Sequence, residues 1–370
     1  MAHRIIYKPQ GIILSSAIGD IGIDVDGDYV DVTLTAQGGI AVLTERYYAY
    51  AGKVTLYDIA SLIEDEMRSS GLSTADFSLS VFTDTSDNKV DSCVLHVLYC
   101  DRFSVCTDVP KFLNENFLTT LSMRRVAPRS TVSILLYADM GESLSYSIAH
   151  SFRKIGSEAI FRNSYTVDDG KIANSSGVFQ LNIPLNSIVA DAAAFANARL
   201  GEIELLSLTV YCGQRSLSFF VDPILNERNS FMFRNCFNVW EMATLPVLTT
   251  AKTDVERSTA VINGRSRFYN QSTEKTYEVE AGPLTSDEAE WIDQLFSSYE
   301  VFRFEPNDVD DIDNLILSPV LITDCTCEVQ DGDESLNTIK FTWRYADNRP
   351  LVRLSASPEI FTAPFNIVFS

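Results

Sequence analysis

The sequence predicts a mainly β protein, a β-rich α+β chain of antiparallel β-sandwich modules whose first and last modules each carry one amphipathic helix. Three observations predict it. Phe and Tyr are abundant, 22 and 15 in 370 residues, and aromatic side chains suit pleated, half-buried surfaces. Apolar and polar residues alternate over run after run, with Gly, Asn and Asp at the breaks, which is the pattern of strands and turns. Only short stretches change to helical spacing.

In the first module, residues 1–125, Ile23 and Val25 begin the alternation and residues 29–35, 40–43 and 47–50 continue it, with turns at Asp26-Gly27 and Gln37-Gly38-Gly39. Residues 56–68 then place Leu56, Ile59, Ala60, Ile63 and Met67 on one helix face. Thr55 is the expected cap, Asp58 suits the first turn, and Gly71 is the expected left-handed stop. Strands resume at 77–83, 92–99 and 103–107.

The middle module, residues 126–228, reads as a β-sandwich. Strands at 130–138 and 143–152 are joined by Asp139-Met140-Gly141, and a strand at 178–183 ends at Pro184. The alanine-rich stretch 191–200 reads as one short helix. Residues 203–211 and 216–221 form a hairpin across Gly213-Gln214-Arg215, and the stretch from Asp222-Pro223 to Asn229 reads as the boundary.

The last module, residues 229–370, is β-rich with one capped helix and a C-terminal extension. Residues 253–262 and 265–269 flank Asn263-Gly264, the strongest hairpin signal in the chain. Residues 275–281 extend the sheet. Thr285 and Glu288 then make a capping box, Leu284 staples onto Ala289, and Trp291, Ile292, Leu295 and Phe296 form the buried face. Strands at 320–323 and 338–345 follow, the second after an Asp331-Gly332-Asp333 turn. The first and last modules share an outline of sheet, helix, sheet, with too few residue matches to make a repeat.

Charge and composition narrow the function. Asp plus Glu outnumber Lys plus Arg by 50 to 29, a net charge of −21, whereas nucleic-acid binders neutralise phosphates with basic patches. The one compact basic run, Arg124, Arg125 and Arg129, reads as a solvated loop. Such acidity commonly serves solubility alone, and it also suits a surface that DNA must pass without adsorbing. Seven cysteines are too sparse and odd in number for a disulfide scaffold, so free thiols in a reducing cytoplasm are expected. The N-terminus has no sustained apolar region and no run of about 18 apolar residues occurs, so no membrane insertion is expected.

Chemistry-bearing residues form no motif. His3, His96 and His150 lack a nucleophile-elbow context. Cys325 and Cys327 share a strand face without a second pair to complete a zinc site. The clusters Asp24, Asp26, Asp28 and Asp308, Asp310, Asp311, Asp313 depart from the calcium loop. No phosphate-binding loop or dinucleotide fingerprint appears. The expectation is no catalytic residue, no cofactor and no metal. Phe231, Phe233, Phe237 and Trp240 are candidates to line a sugar or partner surface; the alternation at Phe231, Phe233 and Phe237 fits strands packing a core or an interdomain seam, and the other reading is an intersubunit contact, where aromatic anchors are favoured. With Tyr269 they form the candidate partner interface.

One resemblance adds to this. The runs Asn235-Cys-Phe-Asn-Val-Trp-Glu241, Ala251-Lys-Thr-Asp-Val-Glu-Arg-Ser258 and Phe268-Tyr-Asn-Gln-Ser-Thr-Glu-Lys-Thr-Tyr-Glu-Val-Glu280 are similar to proteins of Bacteroides-type phages and prophages. So are Pro283-Leu-Thr-Ser-Asp-Glu-Ala-Glu-Trp-Ile-Asp-Gln-Leu-Phe296, Pro319-Val-Leu-Ile-Thr-Asp324 and Phe341-Thr-Trp-Arg-Tyr-Ala-Asp-Asn-Arg-Pro350. The stretch covers roughly the last third of the chain, and residues 54–64 resemble the first module of those proteins more loosely. We read them as virion proteins of the tail or baseplate. The resemblance implies a non-enzymatic structural subunit of hub, distal-tail or baseplate type. It would be made in the host cytoplasm, form a homo-oligomeric ring and bind neighbouring tail proteins. It transfers no catalytic residue. The alternative is a carbohydrate-binding or adhesive module with an aromatic platform, and the third reading is a sandwich-type glycoside hydrolase using paired carboxylates.

Overall fold

The computed structural model describes residues 3–6, 8–82, 89–103, 106, 108–168, 170–226, 229–308, 311–327 and 337–347. The expected turn at Asp331-Gly332-Asp333 and the C-terminal extension past 347 lie outside them. The protein is mainly β, with several antiparallel sheets and four α-helices among the described residues.

Eight strands open the chain: β1 (Arg4–Ile5), β2 (Ile12–Leu14), β3 (Ile21–Asp24), β4 (Tyr29–Ala36), β5 (Ala41–Tyr48), β6 (Lys53–Leu56), β7 (Thr74–Phe82) and β8 (Lys89–Leu98). They form sheets ordered β1-β3-β6 and β2-β8-β7-β4-β5. Val30, Val32 and Leu34, alternate residues of β4, are fully buried against Phe77, Leu79 and Val81 of β7. Helix α1 (Ile59–Ser69) adds Ile59, Ile63 and Met67 to the same core. It starts later than the apolar spacing implies. Val54 and Leu56 satisfy strand alternation as well as helical spacing, and Leu56 pairs with Ile21 at the end of β6. Thr55 therefore caps nothing. Asp58 holds the cap position in the left-handed region, φ 56°. Gly71 closes the helix as expected, at φ 64°. The Gly71 and Leu72 N–H groups donate to the Arg68 and Met67 carbonyls at 3.1 and 2.9 Å, a Schellman closure.

A short helix, α2 (Val109–Glu115), leads into the middle sandwich. There β9 (Met123–Val126), β10 (Thr131–Ala138), β11 (Tyr146–Lys154), β12 (Ile160–Val167), β13 (Gly177–Pro184), β14 (Ile203–Cys212) and β15 (Arg215–Val221) divide into sheets β10-β13 and β12-β11-β14-β15-β9. Val132, Ile134 and Leu136 from the smaller sheet meet Ile148, Leu208, Val210, Leu217 and Phe219 from the larger in one core. Helix α3 (Leu185–Phe195) closes it with Leu185, Ile188 and Ala192. It begins directly after Pro184, ahead of the alanine run expected to form it. Asp139-Met140-Gly141 lies in the connection between β10 and β11 as expected, but these two strands belong to different sheets, β10 pairing with β13 and β11 with β12 and β14. One further expectation changes here. Arg124 and Arg125 are not a solvated loop: they lie in β9, which crosses the expected 125/126 boundary to pair in parallel with β15.

The last strands are β16 (Ser230–Arg234), β17 (Trp240–Thr244), β18 (Val247–Ile262), β19 (Arg265–Leu284), β20 (Val301–Asp308), β21 (Asp311–Cys327) and β22 (Asn337–Tyr345). They make one seven-stranded sheet, order β17-β16-β20-β21-β22-β19-β18, with helix α4 (Ser286–Ser297) against it. The capping box is present. Thr285 Oγ1 accepts from the Glu288 N–H at 3.2 Å, and Glu288 Oε2 accepts from the Thr285 N–H at 3.0 Å. Leu284 and Ala289 are buried together, and Trp291, Ile292 and Leu295 face Phe231, Phe233 and Trp343.

A fourth apolar cluster joins the three modules. Leu14 and Leu98 from the first, Val109, Leu113 and Leu118 from the α2 segment, and Cys236, Phe237 and Val239 from the last meet there, with Leu135, Tyr137 and Val178 of the middle module against them.

Candidate functional site

The segment Asn235-Cys236-Phe237-Asn238 turns tightly between β16 and β17, with Asn238 at φ 55°. Its polar groups tie it to α1, α4 and the segment before β9. The Asn238 amide donates to the Met67 and Leu72 carbonyls at 3.2 and 2.9 Å, the Asn235 amide donates to the Leu118 carbonyl at 2.9 Å, and the Cys236 N–H donates to Gln294 at 2.9 Å. Arg124 is buried against Glu241, which also accepts from Thr119 and Asn235 at 2.8 and 2.9 Å. Burial lowers the Arg124 guanidinium, and the facing carboxylate favours its charged form. Arg125 reaches Glu288 at 2.7 Å and Asp222 at 3.6 Å. Acidic partners from other elements explain why these arginines leave the solvent.

This knot decides where the aromatic candidates lie. Phe231 and Phe233 are 1% and 0% exposed inside the last core, and Phe237 is 6% exposed at the seam, 5.8 Å from the Phe112 ring. All three fall on the core-or-seam side of the two readings, and none presents a surface to a partner. Trp240 is half-buried, with the Arg234 guanidinium 4.0 Å from its ring and Phe302 edge-on at 5.5 Å. Tyr269 is exposed, on the hairpin the sequence marked at 253–262 and 265–269.

That element is an arm. β18 and β19 pair from Val247 opposite Ala281 to Ile262 opposite Arg265, and Asn263 and Gly264, at φ 53° and 72°, make the turn. β22 supports β19 only from Tyr277 onward. The eleven residues from Lys252 to Ile262 of β18 and their partners thus form a two-stranded ribbon, about 35 Å long at roughly 3.3 Å per residue. Val261, Ile262, Phe268 and Tyr269 are 72%, 48%, 62% and 66% exposed near its end. Ser258 opposes Asn270 and Thr259 opposes Phe268, so Tyr269 is the extra residue of a β-bulge, a device that re-aims side chains. The Arg257 guanidinium stands 5.1 Å from the Phe268 ring.

A second feature is a cleft of about 570 Å³ between the first and middle modules. Asp76 and His96, 2.7 Å apart on adjacent strands, stand on one wall. Asp139, Glu142, Ser176 and Tyr137 stand on the other, with Ile12, Pro110 and Leu113 lining the floor and sides. Arg215 is buried and held at three points, donating to Glu142 at 2.8 Å, the Leu113 carbonyl at 2.7 Å and the Tyr137 carbonyl at 2.8 Å. The Ser176 hydroxyl donates to Asp139 at 3.3 Å, across the cleft from the His96–Asp76 pair. Burial is the main reason the Tyr137 phenol is pushed up. The cleft is thus a polar, carboxylate-rich recess suited to hydrogen-bonding a cationic or hydroxyl-bearing group. No motif announces it, because its residues come from five strands, one helix and the loops between them.

The remaining candidates separate. His150 is buried between Phe152 and Tyr165, and neither ring nitrogen has a hydrogen-bond partner among the described residues. Asp24, Asp26 and Asp28 are exposed around the β3–β4 turn, while the side chains of Asp308, Asp310, Asp311 and Asp313 lie outside the described residues. Cys325 is an exposed free thiol. Among the described residues, no group of three or more His, Cys, Asp or Glu is arranged to hold a metal ion, and no helix is long and apolar enough to cross a membrane.

No family model and no curated protein matches the sequence. Among solved structures the chain is similar to the calcium-binding domain CBD12 of CALX1.1, at 9% identity over 57% of this chain and 78% of that one, with a TM-score of 0.19. It is also similar to the full extracellular region of plexin A4, at 9% identity over 92% of this chain and 39% of that one, with a TM-score of 0.21. Likenesses at these scores carry no argument about function.

Proposed function

We propose that the chain is a non-enzymatic structural subunit of a phage tail, of hub, distal-tail or baseplate type, that assembles with copies of itself and with neighbouring tail proteins in the virion. The observation that carries the reading is the β18–β19 arm. A two-stranded ribbon is marginal in water, its open edges invite pairing with another chain, and exposed apolar residues gathered at its end mark an interaction site. An element of this kind gains stability when a neighbour covers it. The resemblance of the last third of the sequence to phage proteins supports the same reading. The net charge of −21 suits a ring through which DNA passes without sticking.

Electron microscopy of the parent particle and of the purified protein, with co-purification against the other tail proteins, tests this. Rings, or capture of a tail protein, are expected. A strict monomer that binds no tail protein and is missing from the particle overturns it.

One observation favours a second reading, an adhesive or carbohydrate-binding module: Phe268 and Tyr269 are 62% and 66% exposed side by side on a projecting element, as a sugar-stacking platform requires. Glycan-array binding lost in Tyr269→Ala or Trp240→Ala would select it. The glycoside hydrolase reading would have to use the cleft carboxylates, and release of reducing sugar from bacterial polysaccharide is its signature.

A further inference from the structure

We propose that the end of the arm docks into the interdomain cleft of a second copy of this chain, its arginines meeting the cleft carboxylates; this rests on the assembly reading above and names the contact that performs it.

The argument starts from charge. Residues 257–273 contain Arg257, Arg265 and Arg267 and no Asp or Glu, a net +3 in a chain of −21, which leaves −24 on the remainder (−21 less +3). The arm end is therefore opposite in sign to the surface any second copy presents. Strand alternation then sorts its side chains. Arg265 opposes Ile262 and Arg267 opposes Ala260 on one face, while Val261 opposes Ser266 and Thr259 opposes Phe268 on the other. Arg257 joins the second face by its contact with Phe268. One face is basic around an isoleucine, and the other is aromatic and apolar.

The cleft complements both faces. Asp76, Asp139 and Glu142 supply three carboxylates against one arginine, Arg215, which is itself held by Glu142 and two carbonyls. Guanidinium groups pair best with carboxylates, often bidentately. Ile12, Pro110 and Leu113 offer apolar surface beside them, and about 570 Å³ is room for several side chains. A DNA occupant of the arm is disfavoured, because three arginines neutralise few phosphates and the other −24 charges oppose approach. Arm and cleft are different surfaces, so the contact is heterologous and propagates into a closed ring or an open filament.

The test uses the full chain. Sedimentation velocity at about 0.05 M and about 0.5 M salt should show self-association that weakens in the stronger salt, since exposed charges are screened there. Arg265→Glu with Arg267→Glu should raise the dissociation constant at least tenfold, and so should Asp76→Arg with Asp139→Arg. All four substitutions are at exposed positions, and an unchanged melting temperature verifies folding. The quadruple charge swap should restore association. A photo-crosslinker at Tyr269 should capture residues 74–76, 96–97 or 137–142 of the other copy. A monomer at low salt, association indifferent to all four changes, or crosslinks confined to other surfaces overturns the proposal. So does duplex-DNA binding that depends on Arg265 and Arg267 while self-association does not. If self-association fails but the protein still sits in the particle or captures a tail protein, the docking is wrong and the subunit reading stands; self-association through the cleft in a protein foreign to any particle gives the converse.

Discussion

Glu241 shows how one residue sets the architecture. Its carboxylate accepts from Thr119 and Asn235 and faces Arg124, tying β17 to β9 and to the segment before it. Glu241→Gln leaves Arg124 charged, buried and uncompensated, and should cost about 3–5 kcal/mol in a denaturant titration. Arg124→Met combined with Glu241→Leu should recover most of that loss, because an apolar pair of similar volume is close to neutral, with Thr119 and Asn235 accounting for the remainder. His150 makes the complementary case. Burial pushes its imidazole below the ordinary 6.5, against the weaker opposing pull of Asp191. The folded protein then binds fewer protons than the unfolded chain between the two values, so stability is full above about 6.5 and falls as the pH drops through it. His150→Phe removes that fall, and by replacing two buried ring nitrogens that make no hydrogen bond among the described residues should add about 1 kcal/mol at neutral pH. Thermal melts at pH 7.5 and 5 check both, and an unchanged pH slope would show that the imidazole titrates elsewhere.

At the scale of elements, legibility follows how local the causes are. α4 was readable to the residue because its capping box, staple and apolar face lie within thirteen consecutive positions, and Thr285→Ala should cost about 1 kcal/mol in the same titration. Asn263-Gly264 likewise announces the arm, since a two-residue turn with positive φ at both positions is a local demand. How far the arm runs is not local: it depends on where β22 stops supporting β19. β12 escaped because it is an edge strand and Asn163 stands among its half-buried positions, where alternation would put an apolar residue. α2 had its signal, an Asp108 cap accepting from the Lys111 N–H with Pro110 in the first turn, but the stretch before it reads as strand. Of that stretch, Phe103 is 92% exposed coil, and residues 104, 105 and 107 lie outside the described residues. The cleft was illegible for the opposite reason. Asp76, His96, Asp139, Glu142 and Arg215 meet only through the docking of two modules, and spacing along the chain carries no trace of it.

At the scale of the whole molecule the three cores are separate, and the seam around Phe237 decides whether they behave as one. Phe237 packs with Phe112, Leu98, Leu118 and Val239, on elements from the first module, the α2 segment and the last module. Emptying that position removes shared apolar contacts and leaves a cavity where no single module can collapse to fill it. Phe237→Ala should therefore cost about 3–5 kcal/mol and split a single calorimetric transition into at least two, because each module keeps its own core while the coupling between them weakens. Tyr269→Ala should do the reverse. The residue is exposed on the arm, so melting should hold within a degree or two while association with the partner weakens. The sequence placed both residues in one candidate interface, and this pair of measurements separates them. A Phe237→Ala protein that melts like the wild type but fails to assemble would return Phe237 to the partner surface and remove the seam as the joint of the molecule.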